Sequence, residues 1–290
     1  MNNGVGRVGI DIECLRFSYE NDLFQTVETR YGSVPTIAQD RGKNLLAARK
    51  RNLLGDAVRI TSDLLPDIHE TYQSCLDIFG DELHGDLFVR HSKEYNASVF
   101  AYGKKFDLLI HSALLKDFTL DELRFVLGHE LGHVLFGHSR FPVRELLSLI
   151  DDPKYNSINV EAKNLLLRWS RAAEVSADRV GLLCCGQLTS AVKSLFKTSS
   201  GLSGIDEDRV LRSFRHQYDV LESHIENVND GQGWMQTHPM IPIRFKALEL
   251  AALDIVALCK QSNVFSRKGF QAVDHKIASI LKTLDSKLAL

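Results

Sequence analysis

The sequence predicts an α+β fold, mostly helical, with a small mixed sheet of about three strands. Apolar residues recur at helical spacing over several long segments, above all in the second half. Three short strand-length runs sit together between residues 86 and 111. The composition, 44% hydrophobic and 25% charged over 290 residues, is that of a soluble globular chain long enough to bury a substantial core.

Residues 1–40 mix short strand-like runs with turn residues and predict no definite element. From Gly42 to about Phe79 the pattern is helical, in "NLLAARKRNLLGDAVRITSDLL" and then "PDIHETYQSCLDIF", where Pro66 suits a first turn. The strand candidates are 86–90, 97–102 and 106–111, separated by turn residues as in a small meander. Thr119 with Glu122 three residues on forms a capping box, so a helix should start at Leu120. A second long helix runs through "VEAKNLLLRWSRAAEVSADRVGLLCCG", with Gly186 as its stop. "LTSAVKSLFKTS" is a shorter one, and the amphipathic stretches 241–260 and 271–290 are helical. The loops at 199–208 and 227–237 are candidate flaps. The expected division is an N-terminal extension over 1–41, a catalytic domain over 42–255 and a C-terminal helical extension over 256–290.

A formal charge of −2 gives no bulk attraction to nucleic acid or anionic lipid, so neither is expected as a partner. The five cysteines form no C-x-x-C and read as reduced thiols. The N-terminus has no apolar signal-peptide core, and no stretch approaches 18 apolar residues. A cytoplasmic protein without a membrane span is expected.

The chemistry lies in "LGHELGHVLFGH", residues 127–138, which sets three histidines and a glutamate among apolar and glycine positions. His129, Glu130 and His133 spell H-E-x-x-H. Residues i and i+4 share a helix face one turn apart, so the two imidazoles can bind one Zn²⁺ while Glu130 turns toward the open side of the ion. Buried without a metal, this set would be costly or would neutralise itself. The metzincin pattern is excluded, because Phe136 and Ser139 stand where it requires glycine and histidine. His138 is off that register and reads as a helix-end histidine favoured by the macrodipole.

Glu174 is the better candidate for a third ligand. It and Asp178 are like charges at i and i+4 on a largely apolar helix, a destabilising pair in isolation. A cation can take Glu174, and the N–H of a ligand histidine can take Asp178. The bland alternative is a solvated face with Arg171 and Arg179 as counter-charges, and Glu161 or Glu145 stand next in line as ligand.

H-E-x-x-H followed about forty residues later by E-x-x-x-D resembles the gluzincin metallopeptidases, most closely their HtpX/Ste24-like family (M48). "YNASVFAYGKKFDLLIHSALLK" resembles that family's edge strand and the strand leading into its active-site helix, and "VSADRVGL" and "THPMIPIR" resemble its later motifs. The resemblance covers about residues 45–255. It implies a zincin-like metalloprotease core holding one Zn²⁺ per chain on His129, His133 and Glu174, with Glu130 as general base and Asp178 orienting a ligand histidine. His238 and Arg244 would lie near the substrate carbonyl, His238 as donor to the oxyanion. Asn96, Ala97, Ser98 and Val99 would pair with a bound peptide. Membrane-embedded relatives surround this core with transmembrane helices, so the chain resembles the stand-alone members.

The implied activity is that of a zinc metalloendopeptidase acting through metal-activated water on unfolded or flexible polypeptide segments. The rival reading is a non-catalytic or latent zinc protein serving as chaperone or scaffold, with residues 1–40, the terminal helix or even Cys14 covering the site.

Overall fold

In the computed structural model, which describes residues 12–31, 48–80, 83–102, 105–141, 143, 160–227, 240–259 and 267–286, the mostly helical α+β expectation holds. The elements are α1 (Ser18–Tyr31), α2 (48–56), β1 (Val58–Arg59), α3 (Pro66–Asp77), β2 (His84–Arg90), β3 (Ala97–Tyr102), β4 (Lys105–His111), α4 (Ser112–Asp117), α5 (Leu120–Leu135), α6 (Val160–Cys185), α7 (Leu188–Ser200), α8 (Glu207–Asn227), α9 (Ile241–Cys259) and α10 (Arg267–Ser286).

The sheet has four strands in the order β1-β2-β4-β3, not a three-strand meander. β4 lies between β2, to which it runs parallel, and β3, to which it runs antiparallel. Its burial explains the inner position. Phe106, Leu108 and Ile110 enter the main core, Leu109 packs on the opposite face with Phe88 and Leu53, and Asp107 meets Lys50 of α2. A strand buried on both faces belongs inside a sheet, which leaves β3 at its end. The extra strand falls in the stretch expected to be helical. Val58 and Arg59 pair with Val89 and Phe88, and Ile60 N–H donates to Leu87 O at 2.8 Å. Tertiary pairing overrides local helical spacing there.

Several punctuation signals act as expected. The Thr119 hydroxyl accepts from Glu122 N–H at 3.3 Å and the Glu122 carboxylate accepts from Thr119 N–H at 2.8 Å, so α5 begins at Leu120. Pro66 opens α3. Gly186, at φ 69°, ends α6 by donating its N–H to Leu182 O.

Three helices were not anticipated: the short α4, α1 and α8. α1 comes from the unplaced N-terminal stretch, and α8 follows directly on the 201–206 loop, with Val210, Phe214 and Tyr218 buried at four-residue spacing.

The apolar interior forms two large clusters joined by α6. One half of α6, with Val180, Leu182 and Leu183, packs with the sheet, α3, α5, α7, α8 and α9. The other half, with Leu166, Trp169 and Ala173, packs with α1 and α10. Glu174 and Asp178 therefore stand at the seam between the two. No helix among the described residues is long and apolar enough to cross a membrane.

Candidate active site

The site begins with how closely α5 approaches α6. Any side chain at Gly132 would place its Cβ 2.8 Å from the Cα of Ala177, and at Gly128 2.7 Å from the Cys184 side chain. A Cβ at Gly181 would meet Phe125 O at 2.7 Å. These glycines and Ala177 let two helix backbones come nearly into contact. That approach carries the one-turn pair on α5 up to the carboxylate on α6.

His129 and His133 face each other across 4.9 Å between ring centroids, with their Nε2 atoms 3.2 Å apart. Glu174 turns its two carboxylate oxygens to the two rings, Oε2 3.5 Å from His129 Nε2 and Oε1 3.5 Å from His133 Nε2. The three residues offer ligand atoms that all lie within 4.8 Å of one another. Two ligands about 2.0–2.1 Å from a tetrahedral Zn²⁺ stand about 3.3–3.5 Å apart, so these separations fit the edges of a zinc coordination sphere. The donor chemistry agrees, since two imidazole nitrogens and a carboxylate oxygen leave a fourth position for water. Glu174 is only 5% exposed, which rules out the solvated-face alternative. Arg171 and Arg179 are engaged elsewhere, with Asp285 and Asp274. Glu161 is exposed and pairs with Arg30, away from the site, while Glu145 lies outside the described residues.

Asp178 sits behind His129, its Oδ1 2.9 Å from Nδ1. Arg244 of α9 donates to both oxygens of Asp178, at 2.6 and 2.8 Å, and lies 3.5 Å from Glu174. Burial would raise the Asp178 pKa, but the charge and hydrogen bonds of Arg244 outweigh it and hold the group at about 2. Asp178 is thus an ionised acceptor, which keeps the His129 proton on Nδ1 and turns Nε2 toward Glu174. Arg244 lines the cleft, and its hydrogen bonds go to Asp178. His238 lies outside the described residues.

Glu130 lines the same cavity of about 580 Å³ as His129, His133, Glu174 and Arg244. Asn96, Ala97, Ser98 and Val99 line it as well, as do Ser194, Thr198 and Ser199 of α7. Burial pushes the Glu130 carboxyl up to about 7, against the opposing pull of His129 and Arg244 and a backbone hydrogen bond from Val99.

Sequence reasoning missed two residues. His138 does not crown the end of α5. Gly137 turns the chain at φ 67°, and the His138 ring folds back, 6% exposed, with its Nδ1 2.8 Å from His133 Nδ1. On its far side stands Glu20 of α1, fully buried, 3.6 Å from His138 Nε2. The glycine after "VLF" was a usable local signal for His138. Glu20 has none, because it arrives from a part of the chain more than a hundred residues away.

The family model for peptidase family M48 matches residues 66–151 and 154–252, more than half of the chain. The chain is 28% identical over 273 residues to the plastoglobule-localized metallopeptidase 48, chloroplastic, of Arabidopsis thaliana, covering 87% of this chain and 77% of that one. No solved structure matches it.

Proposed function

This chain belongs to peptidase family M48, and we propose that within it the chain is a zinc-dependent endopeptidase that cuts unfolded or flexible polypeptide segments. The observation that carries the proposal is the convergence of His129, His133 and Glu174 in a cleft that Glu130 also lines. His129, His133 and Glu174 would hold the ion. When bound, Zn²⁺ supplies a Lewis acid that polarises a peptide carbonyl and acidifies water.

The remaining chemistry belongs to the chain. Glu130, whose carboxyl is pushed up to about 7 by burial, takes a proton from the attacking water and hands it to the leaving amine. Asp178 keeps His129 in one tautomer, and Arg244 pairs with Asp178 and offsets part of the charge of Glu174. His238 is the proposed donor to the oxyanion, a role resting on the family resemblance. β3 ends the sheet with Asn96 to Val99 on the cleft, which supports a peptide docking as an added strand. Such docking uses main-chain hydrogen bonds and selects little by side chain, hence the proposed preference for extended, unfolded segments.

Glu130→Gln tests the reading. The variant should bind Zn²⁺ as wild type does and lose casein hydrolysis by about 10²–10⁴-fold, the usual contribution of a general base. Undiminished hydrolysis would remove Glu130 from the mechanism. A zinc-loaded wild type that cuts nothing would favour the chaperone or scaffold reading.

A further inference from the structure

The two histidines of the site are backed differently. His129 has a carboxylate on its Nδ1, from Asp178. His133 has another imidazole there, His138, with the two Nδ1 atoms 2.8 Å apart. For His133 to offer Nε2 to a metal, its proton must sit on Nδ1, so Nδ1 of His138 must accept. The His138 proton then sits on Nε2, which is buried and has no hydrogen-bond partner within normal length among the described residues. The nearest acceptor is Oε1 of Glu20 at 3.6 Å. Only one arrangement of protons therefore serves a metal, running from Glu20 through His138 to His133.

Glu20 is built into its place. Arg16 donates to both carboxylate oxygens, at 2.7 and 3.2 Å, Trp169 Nε1–H donates at 2.9 Å, and Ser176 Oγ stands at 3.4 Å. Burial alone would raise its pKa, yet its contacts with His138 and Arg16 hold it at about 2, so it is an anion at the back of the site. The Trp169 ring stands edge-on to His138 at 5.8 Å and leaves that imidazole little freedom to turn. The i, i+4 salt bridge from Arg16 alone would not call for a buried tryptophan and a histidine converging on the same carboxylate.

We propose that Glu20, carried on α1 outside the stretch matched by the family model, is a positioning residue that acts through His138 to set the tautomer and orientation of His133 for metal binding. The ligand histidine on α5 thus depends on the N-terminal helix. This inference deepens the zinc-site reading and rests on it.

The test is Zn²⁺ affinity by chelator competition on the full chain, together with the visible spectrum of the Co²⁺ form. Glu20→Gln and His138→Gln should each weaken Zn²⁺ binding by about 10–100-fold, the usual cost of losing a ligand's outer partner, and should shift the Co²⁺ bands alike. Because one acts through the other, the double variant should bind no more weakly than either single variant. Tyr19→Phe, which loosens α1 by removing its hydrogen bond to Asp285 at 3.2 Å without touching Glu20 or His138, should lower the melting temperature and leave affinity within twofold. Multiplying effects in the double variant, or wild-type affinity in both single variants, would overturn the inference while leaving the zinc site standing. A wild type that takes up no Zn²⁺ would overturn both. Should Glu20→Gln not fold, His138→Gln still decides, through its affinity and its Co²⁺ spectrum.

Discussion

A carboxylate that never touches substrate can decide whether a ligand is competent, and Asp178 is the clearest case here. It is 1% exposed, accepts two hydrogen bonds from Arg244 and faces Nδ1 of His129. An amide at that position can present its NH₂ to Nδ1, which moves the ring proton to Nε2, the atom the metal needs. Asp178→Asn should therefore weaken Zn²⁺ binding by about 10–100-fold with the fold intact. Chelator competition with circular dichroism measures both, and wild-type affinity would show that Asp178 only holds Arg244. The Glu174 and Asp178 pairing was legible in the sequence because two like charges at one helix spacing on an apolar face need an explanation. The role of Arg244 toward those carboxylates was not, since α9 is remote in the chain.

At the scale of elements, the crossing of α5 and α6 makes the site. H-E-x-x-H guarantees two imidazoles on one face, but it says nothing of how near the next helix comes. Gly128, Gly132 and Gly181 set that distance. Helix propensity alone favours Gly→Ala by about 0.8–1 kcal/mol. At Gly132 the new Cβ would stand 2.8 Å from a backbone atom of Ala177, which cannot swing aside. Gly132→Ala should thus cost about 1–3 kcal/mol as an overpacked contact, and weaken metal binding by pushing Glu174 away from His133. Gly55 of α2, with nothing within 4 Å of its ideal Cβ, serves as the control. Gly55→Ala should stabilise by up to about 1 kcal/mol. Urea unfolding of both variants checks the pair of signs, and a stabilised Gly132→Ala would show that the helices have room to spare.

The whole molecule is held together at α6, where the two clusters meet and both ends of the described chain converge. Arg179, 1% exposed, donates to Asp274 of α10 at 2.5 Å. The other oxygen of Asp274 accepts from Ser18 N–H at the start of α1, at 2.9 Å. Arg171 and Arg168 hold Asp285 of α10, and Tyr19 of α1 donates to the same carboxylate. Asp274→Ala would strand a buried guanidinium and uncap α1. A loss of about 3–5 kcal/mol is expected in urea or thermal unfolding, as for other broken buried pairs. A change under 1 kcal/mol would mean that the two terminal helices dock by apolar contact alone.

The sequence by itself determined the features whose causes lie within a few residues of one another: the capped start of α5, the glycine stop of α6, the metal-binding spacing and the acidic pair one turn apart. Tertiary structure alone decided the strand order, the existence of β1, the backbone approach that joins α5 to α6, and the Glu20 and His138 contacts. The physical reason is separation along the chain. Helical spacing is repeated in every turn and leaves a pattern to read, whereas a contact between segments tens of residues or more apart is set by which buried surfaces fit, and leaves no local trace.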